Sequence, residues 1–69
     1  MAGTFKLIEL VGTSPKSFEE AVQSAVADAA KSLRDLAWFE VVEQRGRVKD
    51  GRVLEYQVKV SVAFRVEAD

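Results

Sequence analysis

Trp38 and Gln57 are the residues of this 69-residue chain best suited to hold a planar heterocycle. An indole offers a flat aromatic wall on which a planar ligand can stack. A primary amide sets a donor beside an acceptor, which matches the imide edge of a heterocycle. Each residue also has a plainer role. Trp38 can fill a subunit interface, where tryptophan is enriched, and Gln57 can be a solvated residue on an open sheet face. Arg45, Arg47, Lys49 and Arg52 form a basic run able to hold phosphate, but Glu43, Asp50 and Glu55 are interleaved with it, as in ordinary surface ion pairing. Gly12-Thr13-Ser14 could receive an anion at a helix N-terminus. It lacks the Walker lysine pattern and the GxGxxG spacing, and capping is its simpler role. Glu19 and Glu20 are adjacent on a helix and diverge, so they do not make an acid–base pair.

What is missing narrows the chemistry further. The chain has no Cys and no His. This removes disulfides, thiolate zinc sites and cysteine nucleophiles, together with the commonest general base and the Ser-His-Asp triad. The pattern contains no metal constellation, and no catalytic residues are expected. A net charge of −1 opposes a dedicated nucleic-acid binder. No apolar run approaches the roughly 20 residues of a transmembrane helix, and Met-Ala-Gly-Thr-Phe-Lys at the start has no signal-peptide h-region. The expected location is cytoplasmic, without a membrane partner. At 48% hydrophobic the chain is ordered. A domain this short buries only about 60% of its unfolded surface. Of the usual remedies (disulfides, a structural metal, oligomerisation), only oligomerisation remains.

The elements that must position these groups are legible as one domain over residues 1–69. Residues 4–11 predict a strand with apolar groups on both faces: Phe5, Leu7 and Val11 on one, Ile8 and Leu10 on the other. Gly12 to Pro15 then punctuates the chain. A helix is expected over about 15–36. Ser17 and Glu20 make a capping box, with Ser14 before Pro15 as an equally good cap, and Phe18, Ala21, Val22, Ala25, Val26, Ala29, Leu33 and Leu36 form one apolar stripe. From Ala37 the period becomes two, giving strands over about 38–49 and 52–66 around Asp50-Gly51, a type I′ hairpin signal. The fold class is α+β, a β-α-β-β protomer whose three-stranded antiparallel sheet wraps one helix.

A two-residue turn fixes the hairpin register. Lys49 then faces Arg52, Val41 faces Val60 and Phe39 faces Val62, and these four apolar groups point to the helix side. Trp38 faces Ala63 and Gln44 faces Gln57 on the other side, while a bulge near Gly46 would shift the lower part by one. Trp38 and Val42 mark an uncovered patch, a candidate contact surface. Trp38 and Gln57 lie roughly 20 Å apart at strand rise, so one ligand served by both must lie between subunits.

The segments Ile8-Glu9-Leu10-Val11-Gly12-Thr13-Ser14-Pro15, Ala37-Trp38-Phe39-Glu40-Val41-Val42-Glu43-Gln44-Arg45-Gly46, Glu55-Tyr56-Gln57-Val58 and Val62-Ala63-Phe64-Arg65 together resemble the dodecins, in particular their bacterial branch, from about Phe5 to Glu67. The resemblance implies a hollow homododecamer of cubic 23 symmetry that binds flavins in pairs on two-fold axes. It implies that Trp38 stacks on the isoalloxazine ring and Gln57 hydrogen-bonds its pyrimidine edge. It further implies FMN as the favoured flavin, with riboflavin and FAD left open as alternatives, an association with coenzyme A, and a role in flavin storage and photoprotection rather than turnover. Arg45 matches an arginine of bacterial members and is the candidate for the FMN phosphate or ribityl end, with Arg65 as a second candidate. The rival expectations are a structural oligomerisation module with no ligand and, less consistent with the absent proton-transfer groups, a flavoenzyme.

Overall fold

The computed structural model describes residues 3–66. Its elements run β1 (Phe5–Ser14), α1 (Phe18–Ser32), β2 (Leu36–Lys49) and β3 (Arg52–Arg65). The strands form one antiparallel sheet in the order β1-β3-β2, so the last strand lies between the other two. The expected β-α-β-β, α+β architecture is the one observed.

β1 runs three residues past its expected end at Val11. Gly12, Thr13 and Ser14 pair with Val58, Gln57 and Tyr56 of β3, and the hydrogen-bonded ladder overrides their turn propensity. Gly12 is required there by the helix above it. A Cβ at this position would collide with the Ala21 carbonyl oxygen and come within 2.9 Å of the Ala25 Cβ. A backbone without side chain, facing an alanine stripe, is what lets α1 settle this close to the sheet.

α1 starts where its apolar stripe starts, three residues inside the expected bound of about 15, and stops short of the stripe's end at Leu36. It begins at Phe18 with Ser17 as N-cap, whose Oγ accepts from the Glu20 N–H at 3.0 Å. The reciprocal half of the capping box goes elsewhere. Glu20 Oε1 accepts from Ser14 Oγ at 2.9 Å, while Ser14 Oγ accepts from the backbone N–H of Lys16 at 2.9 Å and of Ser17 at 3.4 Å. The buried Ser14 hydroxyl thus stands between the carboxylate and the orphan N–H groups it was expected to reach. At the other end Leu33 caps the helix, and Asp35 adopts φ 58°, a left-handed conformation that Asp tolerates, turning the chain into β2. Leu36 still packs on the core, but from the first position of β2.

Asp50 and Gly51 have φ of 52° and 74°, the paired positive values that a type I′ turn requires. Lys49↔Arg52, Val41↔Val60, Phe39↔Val62 and Trp38↔Ala63 pair as the two-residue turn demands. Between them, Leu54 is an extra residue on β3 and Val42 an extra residue on β2. The two bulges cancel, but the stretch they bracket is offset by one. Gln57 therefore faces Arg45 in place of Gln44, the one-residue shift that a bulge near Gly46 was expected to bring.

The core consists of Ala21, Ala25, Val58, Val60 and Val62, with Ile8, Leu10, Val22 and Leu36 packed at its margin. α1 lies over β1 and β3 and reaches β2 only at its edge. Phe39 and Val41 point to the helix side as expected, yet they remain 48% and 44% exposed because the helix does not cover them. They line a groove of about 400 Å³ with Glu19, Val22, Gln23 and Val26. Beyond it the hairpin projects as a bare two-stranded arm, and the molecule measures 54 × 20 × 13 Å.

Candidate functional site

All four candidate residues lie on the sheet face away from α1. Alternation along β3 turns Val58, Val60 and Val62 toward the helix, and so turns Gln57, Lys59, Ser61, Ala63 and Arg65 the other way. Trp38 pairs with Ala63 and Arg45 with Gln57, which brings both to that same face. Phe5, Leu7, Glu9 and Val11 reach it from β1 through their partners Arg65, Ala63, Ser61 and Lys59.

At one end Trp38 is half exposed, while Ala63 beneath it is completely buried. The methyl group of Ala63 leaves room above the central strand, and the rings of Phe5 and Trp38 meet across it with centroids 4.8 Å apart and planes at 53°. Phe5 thereby braces the indole from one side and leaves the rest of its surface free. The strand order β1-β3-β2 creates this contact, and periodicity alone does not reveal strand order. The sequence signalled only that Phe5 shares one face of β1 with Leu7 and Val11. Arg65 projects beside Phe5, where its guanidinium carbon lies 3.7 Å from the position of a Cβ built on Gly3.

At the other end a polar chain runs across β2 and β3. Arg45 Nε donates to Gln57 Oε1 at 2.7 Å, and Arg45 NH1 donates to Glu43 Oε1 at 3.1 Å. Gln57 Nε2 donates to Glu55 Oε1 at 2.9 Å, and Arg47 NH1 lies 3.7 Å from the same oxygen. The one-residue offset between the bulges builds this cluster, because it sets Arg45 opposite Gln57. Glu43 and Glu55 were legible only as surface ion-pairing residues, and both pair with arginines as that expectation had it.

The structure joins Arg45 to Gln57 and places Arg65 near Trp38 through Phe5, but it does not bring Trp38 to Gln57 within one chain. They are separated by seven positions of β2 pairing, roughly 20 Å or more at strand rise. Among the described residues there is no cluster of three or more Asp, Glu, His or Cys side chains placed to hold a metal ion. No helix among the described residues is long and apolar enough to cross a membrane.

This small β-α-β-β module leaves one sheet face uncovered by its helix, with an aromatic pair at one end and an arginine–glutamine–carboxylate cluster at the other, the class of arrangement suited to a small ligand. The comparisons identify the group. Residues 4–67 match the family model "Dodecin", and the chain belongs to the dodecin family. It is 51% identical over 67 residues to the dodecin of Thermus thermophilus, covering 97% of each chain. It is 36% identical over 62 residues to the calcium dodecin of Mycobacterium tuberculosis, covering 90% of this chain and 87% of that one. The crystal structure of the tt0972 protein from Thermus thermophilus superposes with a TM-score of 0.93 at 48% identity, over 99% of this chain and 100% of the other. Solved forms of the Thermus dodecin include its R45A, R65A and W38F mutants, and Arg45, Arg65 and Trp38 stand at those numbers here. Family membership implies a small-ligand-binding homo-oligomer.

Proposed function

We propose that this protein binds flavin, FMN foremost, and stores and sequesters it as paired ligands stacked between Trp38 side chains at the two-fold interfaces of a homododecamer. The observation that carries this is the half-exposed indole of Trp38 on the uncovered face, braced by Phe5 and set over a buried Ala63. An exposed tryptophan held still beside open space is a stacking platform. Gln57 comes to the same ligand from another copy, where its amide meets the pyrimidine edge of the ring. A two-fold axis supplies each of these side chains twice, as an isologous interface requires. Arg45 serves the phosphate or ribityl end, and Arg65, beside Phe5, is the second cation available to it.

The chemistry asks for no general base. A flavin pressed against an electron-rich indole loses its excited state by electron transfer from the ring, which quenches fluorescence and suppresses photodamage. Storage, buffering and photoprotection are one property seen three ways, and the protein is a binder rather than an enzyme. Coenzyme A is a further candidate ligand of the assembled particle.

The deciding measurement is the native mass of the complex together with its absorbance spectrum. A twelve-subunit mass with a flavin band supports the proposal. A large assembly that takes up neither FMN nor riboflavin would leave a structural oligomerisation module in its place. In Trp38→Ala, FMN affinity should fall at least tenfold, since a desolvated aromatic stack contributes on the order of 1 kcal/mol beyond its buried area. Unchanged affinity would remove Trp38 from the site.

A further inference from the structure

We propose that Glu55 is a positioning residue which, opposite Arg45, locks the polarity of the Gln57 amide and so fixes which way round the ligand's polar edge is read. This inference rests on the flavin-binding role proposed for the site.

A glutamine amide can turn by 180° at little cost when its neighbours are water, because both of its ends are then equally satisfied. Here they are not equivalent. Nε2 donates to Glu55 at 2.9 Å, and Oε1 accepts from Arg45 at 2.7 Å. A carboxylate only accepts and a guanidinium only donates. Turning the amide would press its oxygen against the Glu55 carboxylate and its NH2 against Arg45, losing both charge-assisted bonds and opposing like polarities twice. The outer members keep the pair in place: Arg47 NH1 lies 3.7 Å from Glu55 Oε1, and Glu43 holds Arg45 NH1 at 3.1 Å. Glu55 is also the less exposed partner of its ion pair, with 27% of its side chain open against 62% for Arg47.

The lock leaves the amide usable. A carbonyl oxygen has two acceptor sites and an NH2 group two hydrogens, so one of each remains for a ligand. The pyrimidine edge of a flavin presents N3–H between two carbonyls. The Gln57 oxygen can take that N3–H, and the amide's polarity then decides which flanking carbonyl receives its N–H. Glu55 therefore selects ligand orientation without touching the ligand.

The test is a cycle of two proteins and two ligands, with FMN and N3-methylated FMN titrated onto the wild-type assembly and onto Glu55→Gln. Glutamine is isosteric but can donate or accept, so it no longer dictates the amide's direction. An amide free to take either direction is competent about half the time, so FMN affinity is expected to fall about twofold in the variant. The methylated ligand has no N3–H to give the Gln57 oxygen and keeps only the carbonyl contact, so its loss should be smaller. Glu55→Ala should show the same pattern, with native mass unchanged in both variants. Equal affinity of FMN for wild type and variant, or parallel losses for both ligands, would overturn the assignment. Side-chain amide resonances of 15N-labelled glutamine decide the lock without any flavin. The Gln57 pair should shift and exchange faster in Glu55→Gln while Gln23 and Gln44 hold still, and an unmoved Gln57 pair would also overturn it. Failure of wild type to bind FMN would count against the flavin proposal alone.

Discussion

The two faces of this sheet use small residues to opposite ends. On the helix side Gly12 lies under Ala21 and Ala25, and the missing side chains close the space between sheet and helix until a core forms. On the other side Ala63 is also fully shut off from solvent, beside two rings that meet at 53° and leave the indole of Trp38 half exposed. Smallness on the first face brings backbone to backbone, and on the second it clears a seat for something larger. Substitutions on the helix side should therefore appear as lost folding, and those on the open side as lost ligand.

Gly12→Val is expected to have the largest effect. The added side chain would strike the Ala21 carbonyl, which is backbone and cannot swing aside. The cost should be about 3 kcal/mol or more, enough to leave a domain of this size largely unfolded by circular dichroism. Val60→Ala comes next on the same face. Val60 is fully buried, and truncating it should cost roughly 2 kcal/mol through lost burial and a partly unfilled cavity. Denaturant midpoints would show it, with flavin per folded subunit unchanged. Phe5→Ala tests the opposite face. Losing the ring that braces Trp38 should weaken FMN binding by roughly fivefold at most, about 1 kcal/mol, with a smaller change in stability because Phe5 is 40% exposed already. A folding loss from Phe5→Ala as large as that from Val60→Ala would break the division between the faces.

The same division explains what could be read from the residues in order. The hairpin register was legible because Asp50-Gly51 and the apolar alternation specify it independently, and they agree at Val41↔Val60 and Phe39↔Val62. The Gln57 partner was left open by the bulge foreseen near Gly46: a shift does occur at Arg47/Val48, and the bulges at Leu54 and Val42 cancel so that Trp38↔Ala63 to Val41↔Val60 keep the expected register. Strand order was equally hidden. Nothing local says that β3 lies between β1 and β2, and this alone brings Phe5 to Trp38. The helix was overdrawn at its C-terminal end because apolar spacing persists through Leu33 and Leu36 although the backbone turns at Asp35, while at its start the Ser17 cap is used and the Ser14 alternative is not. The family resemblance rested on residues of both faces at once, which is why it reached the whole chain when the register alone could not.

The smallest expected effect is the most informative about the open face. Lys59 and Glu9 pair across β3 and β1 on that face at 3.7 Å, with 37% and 57% of their side chains exposed. In a face that stays in water, such a pair contributes at most about 0.5 kcal/mol and is screened by salt. Glu9→Gln should then leave the unfolding midpoint within error at any ionic strength. If assembly covers this stretch, both charges lose solvent, and removing one partner strands the other in a poorly solvated interface at a cost of about 3 kcal/mol. A Glu9→Gln variant that falls apart into smaller species on native mass measurement would place subunit contacts over the middle of the open face. An intact particle would confine those contacts to its ends, where Trp38 and Gln57, the residues proposed to hold flavin, are placed.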